Sequence, residues 1–135
     1  MLPTEDAGVV GDLLASRFGL PQWLFTVSAT DANRTALRFA RQITGRPKIL
    51  VFSYSYHGTV DETFAVRDPR SGVTRPREGS VGPAFDVEQT TRAIEFNDIA
   101  QLEAALAPED IAVVIAEPAM TNMGIVLPDP GYHEA

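Results

Sequence analysis

Short apolar runs and amphipathic stretches alternate along most of the chain. Four apolar runs have the length and composition of β-strands, at residues 23–27, 48–52, 92–96 and 111–116. Three stretches carry apolar residues at helical spacing, over residues 4–17, over residues 32–44, and from Asn97-Asp98 to Pro108. The alternation predicts an α/β fold, a three-layer, mostly parallel sheet with crossover helices.

Residues 23–58 form the centre of this pattern, which predicts a strand, a turn, a helix, a second strand and a second turn. Two parallel strands joined by a helix place both turns at one edge of a sheet, outside the carboxyl ends of the strands. Ligands of open α/β sheets bind at that edge. We therefore predict that the turns after residues 23–27 and 48–52 face a common crevice.

The segments after this unit are less regular. Residues 58–64 fit a short helix or an ordered loop, and residues 67–91 are rich in glycine and proline and show no periodicity. A loop of that length is functional or packs against another surface. The run 111–116 is apolar on both faces, as a buried parallel strand requires, so Glu117 is expected at the ligand edge.

Composition and charge exclude several classes of function. The 135 residues suffice for one domain with a core. A net charge of −7, with Lys48 as the only lysine, argues against a nucleic-acid or anionic-membrane partner. Without cysteine there is no disulfide or thiolate site, and we predict no metal site. No apolar run reaches membrane-spanning length and the first residues lack a signal-peptide pattern, so we expect a cytoplasmic protein.

The turn Ser28-Ala29-Thr30-Asp31 has two compatible interpretations. Small residues at a strand-to-helix turn leave backbone N–H groups free at the positive end of a helix, which is an anion site, and Thr30 adds a hydroxyl donor. Alternatively, Ser28 and Asp31 form a capping box and bind nothing. The local pattern favours the cap, which can itself lie beneath a phosphate.

The helix over 32–44 has an apolar side and a basic side. The apolar side carries Ala32, Ala36, Phe39 and Ile43, and the other side carries Arg34, Arg38 and Arg41. In an acidic chain we expect the arginine stripe to be a solvated face or an intersubunit contact, and we assign it no ligand.

Polar and aromatic residues follow two of the predicted strands. Tyr54, Tyr56 and His57 come after 48–52; such a ring can stack on a planar ligand, and the histidine can hydrogen-bond or relay protons. Glu117 and Asn122 follow 111–116 and can orient a polar ring substituent. The alternatives are a satisfied core tyrosine, a surface histidine and a turn stabilised by asparagine and glycine.

Four stretches in this order resemble the class III, pyridoxal-phosphate-dependent aminotransferases of fold type I, and among them the glutamate-1-semialdehyde aminomutases and β-amino-acid transaminases. They are SATDANRTALRFARQITGRPKILVF from Ser28, YHG at 56–58, EFND at 95–98 and AEPAMTNMGIVLPDPGY from Ala116. Each stretch is weak alone, and the ordered set is specific.

The resemblance implies a cofactor, pyridoxal 5'-phosphate, and roles for individual residues. Ala29 and Thr30, after the Ser28 cap, would hold its phosphate. Tyr56 would stack on the pyridine ring with His57 beside it. Asn122 would hydrogen-bond the phenolic oxygen, and Glu117 would support that side of the site. The resemblance also implies a small-molecule amino donor, a carbonyl acceptor and a homodimer.

Two features depart from the family pattern. The family usually has glycine where this chain has Ala29, whose methyl group is tolerated if its φ is negative. The family's Schiff-base lysine is not matched, and Lys48 precedes a strand at the end opposite the site. We therefore expect residues 1–135 to be a partial cofactor-binding large domain that lacks an N-terminal segment and the lysine-bearing part. Such a chain has no catalytic residue of its own and is expected to be inactive when isolated. The alternative is a non-catalytic α/β module that binds a phosphate or nucleotide at the Ser28–Asp31 turn.

Overall fold

The computed structural model describes residues 4–82 and 85–135. Its helices are α1 (Glu5–Phe18), α2 (Ala29–Thr44) and α3 (Ile99–Leu106). Its strands are β1 (Lys48–Phe52), β2 (Ala65–Arg67), β3 (Thr74–Pro76), β4 (Thr91–Ile94) and β5 (Ile111–Val114). Single 3₁₀ turns cover Asp61–Thr63 and Val87–Gln89.

A three-stranded parallel sheet with the order β4-β1-β5 forms the centre of the fold. Strand β1 is buried on both faces: Ile49 and Val51 belong to one apolar cluster, and Leu50 and Phe52 belong to another. Helix α2 contributes Leu37 to the first cluster, and α3 contributes Ala105 to the second. This confirms the predicted three-layer parallel sheet, because the helices cover opposite faces.

The predicted first strand, residues 23–27, is wrong. The segment has no strand conformation and pairs with no strand among the described residues. Its apolar side chains are exposed, with Val27 at 93%, and Trp23 donates only a local hydrogen bond from Nε1 to the Leu20 carbonyl oxygen, at 2.9 Å. An aromatic and β-branched composition favours a strand only where neighbouring strands supply a ladder and a cover, which the described residues do not provide here.

The segment 67–91 is more regular than predicted. Strands β2 and β3 form an antiparallel hairpin, and the Asp68 carboxylate accepts hydrogen bonds from the Arg70 and Ser71 amides in its turn. The Thr74 hydroxyl accepts a hydrogen bond from the Ala93 amide, at 3.0 Å, which joins the hairpin to β4. Strands of three residues are too short to show a periodicity, so the sequence pattern missed them.

Local capping signals set the ends of the helices, as predicted. Helix α1 begins after Thr4, whose side chain accepts a hydrogen bond from the Ala7 amide, and ends at Gly19 with φ +70°. Helix α3 begins after Asp98, whose carboxylate accepts from the Gln101 amide. Position 19 needs glycine because a left-handed residue closes the helix. None of the residues of α1 is buried, so its predicted apolar face has no cover among the described residues.

The packed face of α2 differs from the prediction. Phe39 and Ile43 of the apolar stripe are 58% and 83% exposed, whereas Leu37 is buried. Arg41 is not solvated: its guanidinium donates to the Pro47 and Thr90 carbonyl oxygens and to Glu62. Because its guanidinium finds backbone acceptors in two loops, Arg41 packs inward, whereas Arg34 and Arg38 of the same stripe are exposed. Phe39 and Ile43 of the apolar stripe face out.

Two other apolar elements are less buried than predicted. In α3, Leu102 and Ala105 pack on the core, while Ile99 and Leu106 are exposed. In β5 only Ile111 is fully buried, because this strand lies at the edge of the sheet among the described residues. Within those residues, no helix has the length and apolarity that crossing a bilayer demands.

Candidate functional site

The N-terminus of α2 lies against the turn that follows β1. The Thr59 amide donates to the Thr30 hydroxyl oxygen at 3.1 Å, and the Asn33 side-chain amide donates to the His57 carbonyl oxygen at 2.9 Å. The two predicted turns therefore meet, although not through the pair of parallel strands that the sequence suggested. Side-chain bonds from α2 to the turn at 57–59 hold them together.

Gly58 makes this close approach possible. Its φ is +81°, and a Cβ atom at this position would lie 2.2 Å from the Thr30 hydroxyl oxygen. Any larger residue would be strained in this conformation and would push α2 away from the turn.

The predicted cap at Ser28 is confirmed. The Ser28 hydroxyl accepts a hydrogen bond from the Asp31 amide at 3.1 Å and donates to the Asp31 carboxylate at 2.7 Å. Ala29 is helical without a positive φ, so its methyl group causes no strain. The amides of Ala29 and Thr30 have no acceptor among the described residues, which leaves two N–H donors at the positive end of the helix.

Tyr56 borders a cavity of about 470 Å³ at this edge of the sheet. The residue is 49% exposed, and the centroid of its ring lies 6.4 Å from that of the Phe64 ring. Thr59 and Asn122 line the same cavity, so two of the predicted site residues share it. Thr30 does not line it and reaches it through the hydrogen bond from Thr59.

Glu117 ties the loop after β5 to the turn after β1. Its carboxylate accepts from the Tyr56 amide at 3.0 Å and from the amide and hydroxyl of Thr121 at 2.8 and 2.6 Å. Burial opposes ionisation of this carboxyl, but the three hydrogen bonds outweigh burial and hold its pKa below the usual range. Glu117 is therefore an anionic clamp between the two loops.

Asn122 makes a second tie across the same gap. Its side-chain amide donates to the Tyr54 carbonyl oxygen at 3.1 Å. Tyr54 has a φ of +67°, a conformation that non-glycine residues seldom adopt. The strained residue is hydrogen-bonded to Asn122, which lines the cavity, and such strain concentrates at functional sites.

His57 is buried beside this clamp. Its Nε2 atom has no hydrogen-bond partner among the described residues. Burial lowers the pKa of His57, and the Glu117 carboxylate opposes this only in part, so the ring is neutral at pH 7.

The structure thus brings Thr30, Tyr56, His57, Glu117 and Asn122 to one edge of the sheet, with Ser28 and Ala29 in the adjoining helix cap. Sequence reasoning missed the residues that connect these positions: Asn33, Gly58, Thr59 and Thr121. Within residues 4–82 and 85–135, no three His, Asp or Glu side chains cluster as metal ligands would.

Known proteins resemble this chain along its whole length. The family model described as aminotransferase class-III matches residues 1–135. Glutamate-1-semialdehyde 2,1-aminomutase of Neisseria meningitidis serogroup C / serotype 2a is 38% identical over 136 residues, which cover 98% of this chain and 32% of that protein. The enzyme of that name from Sulfolobus acidocaldarius is 40% identical over 111 residues, 82% of this chain and 26% of that protein.

Solved structures of aminomutases and transaminases also resemble this chain. A glutamate-1-semialdehyde-aminomutase from Pseudomonas aeruginosa PAO1 has a TM-score of 0.92 and 51% identity, covering 99% of this chain and 29% of that one. A variant of it was solved in complex with PMP. An omega-transaminase from Sphaerobacter thermophilus has a TM-score of 0.84 and 28% identity, over 98% of this chain and 32% of that one.

These neighbours have the fold of type I pyridoxal-phosphate enzymes, which confirms the predicted fold class. The chain spans about a third of the length of the relatives it matches. The family match over its whole length and the agreement of backbone and sequence establish that this chain belongs to the class III aminotransferases.

Proposed function

We propose that residues 1–135 supply half of a pyridoxal-phosphate site to an enzyme that moves an amino group between an amino acid and a keto acid or aldehyde. The observation that carries the proposal is the meeting of the α2 N-terminus, the Tyr56 turn and the Asn122 loop at one edge of the sheet. When bound, the cofactor supplies the electron sink for this chemistry. The residues of this chain bind and orient it.

The helix N-terminus suits the phosphate of the cofactor. The amides of Ala29 and Thr30 have no acceptor among the described residues, and the Thr30 hydroxyl still has a proton to donate after accepting from Thr59. The helix dipole favours an anion at this point. Because Gly58 has no side chain, the turn after β1 packs closely against Thr30, and the two segments lie side by side.

The cavity beside Tyr56 suits the aromatic ring. The half-exposed Tyr56 ring offers a stacking surface, and one amide hydrogen of Asn122 remains available for a phenolic oxygen after the bond to Tyr54. Neutral, buried His57 beneath this surface supports the ring without adding a charge. Glu117 acts indirectly, because its carboxylate is occupied by Tyr56 and Thr121 and fixes both loops.

Lys48 does not supply the amine that the family's chemistry needs. It begins β1, whereas Tyr56 follows the opposite end of that strand, and its Nζ atom is paired with Asp110 at 3.1 Å. We therefore propose that the Schiff-base lysine and a further N-terminal segment belong to parts of the enzyme outside residues 1–135, and that the isolated chain is inactive.

Binding and turnover test this proposal separately. We expect pyridoxamine phosphate to bind the isolated chain saturably in a fluorescence titration. Thr30→Ala should weaken binding by at least about tenfold, because a charge-assisted hydrogen bond contributes about 1.5–3 kcal/mol. Thr44→Ala, at the other end of α2, is the matched control. Transaminase turnover by the isolated chain, with a reduced pyridoxyl adduct on Lys48 after borohydride treatment, would refute inactivity. Saturable binding of ATP in place of the cofactor would favour the nucleotide module.

We also propose that the whole enzyme is a cytoplasmic homodimer that takes a small-molecule amino donor and a carbonyl acceptor. The exposed apolar stripe of α2 supports association, since contiguous apolar surface of this kind is normally covered. Analytical ultracentrifugation should show that Phe39→Glu weakens self-association while the neighbouring Arg38→Glu does not. A chain that remains monomeric at high concentration, or equal effects of both substitutions, would contradict this proposal.

A further inference from the structure

A second cavity, of about 460 Å³, lies away from the candidate cofactor site. Its walls come from the β2–β3 hairpin, from β4 and from α3, and it shares no lining residue with the cavity beside Tyr56. A water molecule occupies about 30 Å³ in the liquid, so this space accepts a ligand of several heavy atoms. None of the predicted cofactor-binding residues lines this cavity.

Positive charge dominates the walls of this cavity. Lys48, Arg67 and Arg92 line it, and Glu88 is the one acidic residue in its lining. The Asp110 carboxylate beside it is shared by two of these cations: Arg92 binds both carboxylate oxygens, at 2.7 and 2.9 Å, and Lys48 lies 3.1 Å from one of them. The local balance is positive in a chain whose net charge is −7.

Arg67 supplies a charge that no group within residues 4–82 and 85–135 neutralises. Among the described residues its guanidinium forms no hydrogen bond or ion pair. The carboxylate of Asp68, the next residue along the chain, is engaged by the Arg70 and Ser71 amides and by Arg75 at 3.3 Å.

The hairpin places Arg67 over the cavity. Its backbone amide donates to the Ser53 hydroxyl at 3.0 Å, and its Nη2 atom lies 2.9 Å from where a Cβ atom on Gly72 would be. Gly72 has a φ of +75°, so the turn is folded closely under the guanidinium. The arginine therefore lies against the turn without meeting a counter-ion.

We propose that this cavity binds a small multiply charged anion of the phosphate class, free or as an ester, with Arg67 as the principal ligand. A guanidinium fork matches the oxygens of a phosphate group, and Lys48 and Arg92 retain one net positive charge after pairing with Asp110. Glu88 limits the affinity, because this acidic residue lines the same cavity.

Isothermal titration of the chain with inorganic phosphate, at constant ionic strength in chloride, tests the proposal. We expect saturable binding that Arg67→Gln weakens by at least about tenfold, equivalent to 1.4 kcal/mol. Arg70→Gln removes the same charge from the same hairpin outside the cavity lining, and should change affinity by less than about twofold because exposed charges are screened. Glu88→Gln should tighten binding about threefold.

The outcomes separate this site from the cofactor site. Thr30→Ala should leave phosphate binding in this cavity unchanged. The proposal is overturned if no saturable binding occurs, if Arg67→Gln and Arg70→Gln weaken it equally, or if Thr30→Ala abolishes it while Arg67→Gln does not. Melting temperatures of the variants show whether each one folds. If Arg67→Gln unfolds the chain, the Glu88→Gln variant decides, and a phosphate affinity that does not rise in that variant counts against the proposal.

Discussion

The Glu117 carboxylate joins the two loops of the candidate site, and removing its charge should measurably lower the free energy of unfolding. In Glu117→Gln one oxygen can still accept from Thr121, but the new amide group then faces the Tyr56 N–H, and two donors oppose each other. Losing one charge-assisted hydrogen bond and leaving an amide unsatisfied should cost about 2 kcal/mol. At a urea m-value of about 2 kcal/mol/M this lowers the unfolding midpoint by about 1 M.

Urea titration followed by circular dichroism measures this change, and Glu103→Gln is the matched control. Glu103 is exposed on α3, and its side chain has no hydrogen bond or ion pair among the described residues. The pH dependence gives a second check. Because the folded-state pKa of Glu117 lies below its unfolded value, its contribution is present above the unfolded pKa and is lost as the pH falls through the folded pKa. Equal midpoints for Glu117→Gln and Glu103→Gln at neutral pH would refute the clamp.

Three further predictions concern His57, Gly58 and the packed face of α2. Burial lowers the pKa of His57 in the folded chain, so the unfolded chain takes up a proton first and stability should fall as the pH drops through the ordinary histidine range. Thermal melts of His57→Gln should show a flatter slope of stability against pH, and an unchanged slope would count against a buried neutral ring. Gly58→Ala should lower the free energy of unfolding, measured in urea, by about 3 kcal/mol. The loss should be smaller in a Thr30→Ala background, and identical losses in both backgrounds would contradict the close approach of Gly58 to Thr30. Leu37→Ala should lower the free energy of unfolding in urea by about 2–5 kcal/mol, and Phe39→Ala by less than about 0.5 kcal/mol. The reverse order would mean that the apolar stripe packs inward.

The sequence predicted those elements whose signals are local. Ser28 and Asp98 cap helices through contacts three residues along the chain, and the left-handed Gly19 ends one, so helix positions followed from neighbouring residues. The run 48–52 is apolar throughout because β1 is covered on both faces, which makes it recognisable as a central strand.

Errors arose where distant parts of the chain decide the outcome. Residues 23–27 have strand composition, but strand formation needs a partner that the described residues do not supply. The apolar stripe of α2 gave the correct helix and the wrong packed face, because Arg41 is drawn inward by carbonyl oxygens of two loops. The hairpin did carry a signal, in the Asp68-Pro69 and Gly72 turn residues between short β-branched runs.

The candidate site shows the same contrast between local signals and contacts of distant residues. Its named residues were predicted from family resemblance, and their turns do come together. The bonds that join them, from Thr59 to Thr30 and from Asn33 to His57, link residues more than 20 positions apart and have no pattern in the sequence.

A crystal structure of this chain with pyridoxamine phosphate tests the central claim most directly, because this form of the cofactor needs no lysine to bind. We predict that the phosphate lies on the Ala29 and Thr30 amides and that the ring lies on Tyr56, within reach of Asn122. A phosphate bound in the Arg67 cavity with the α2 N-terminus vacant, or a ring held apart from Tyr56, would contradict the account.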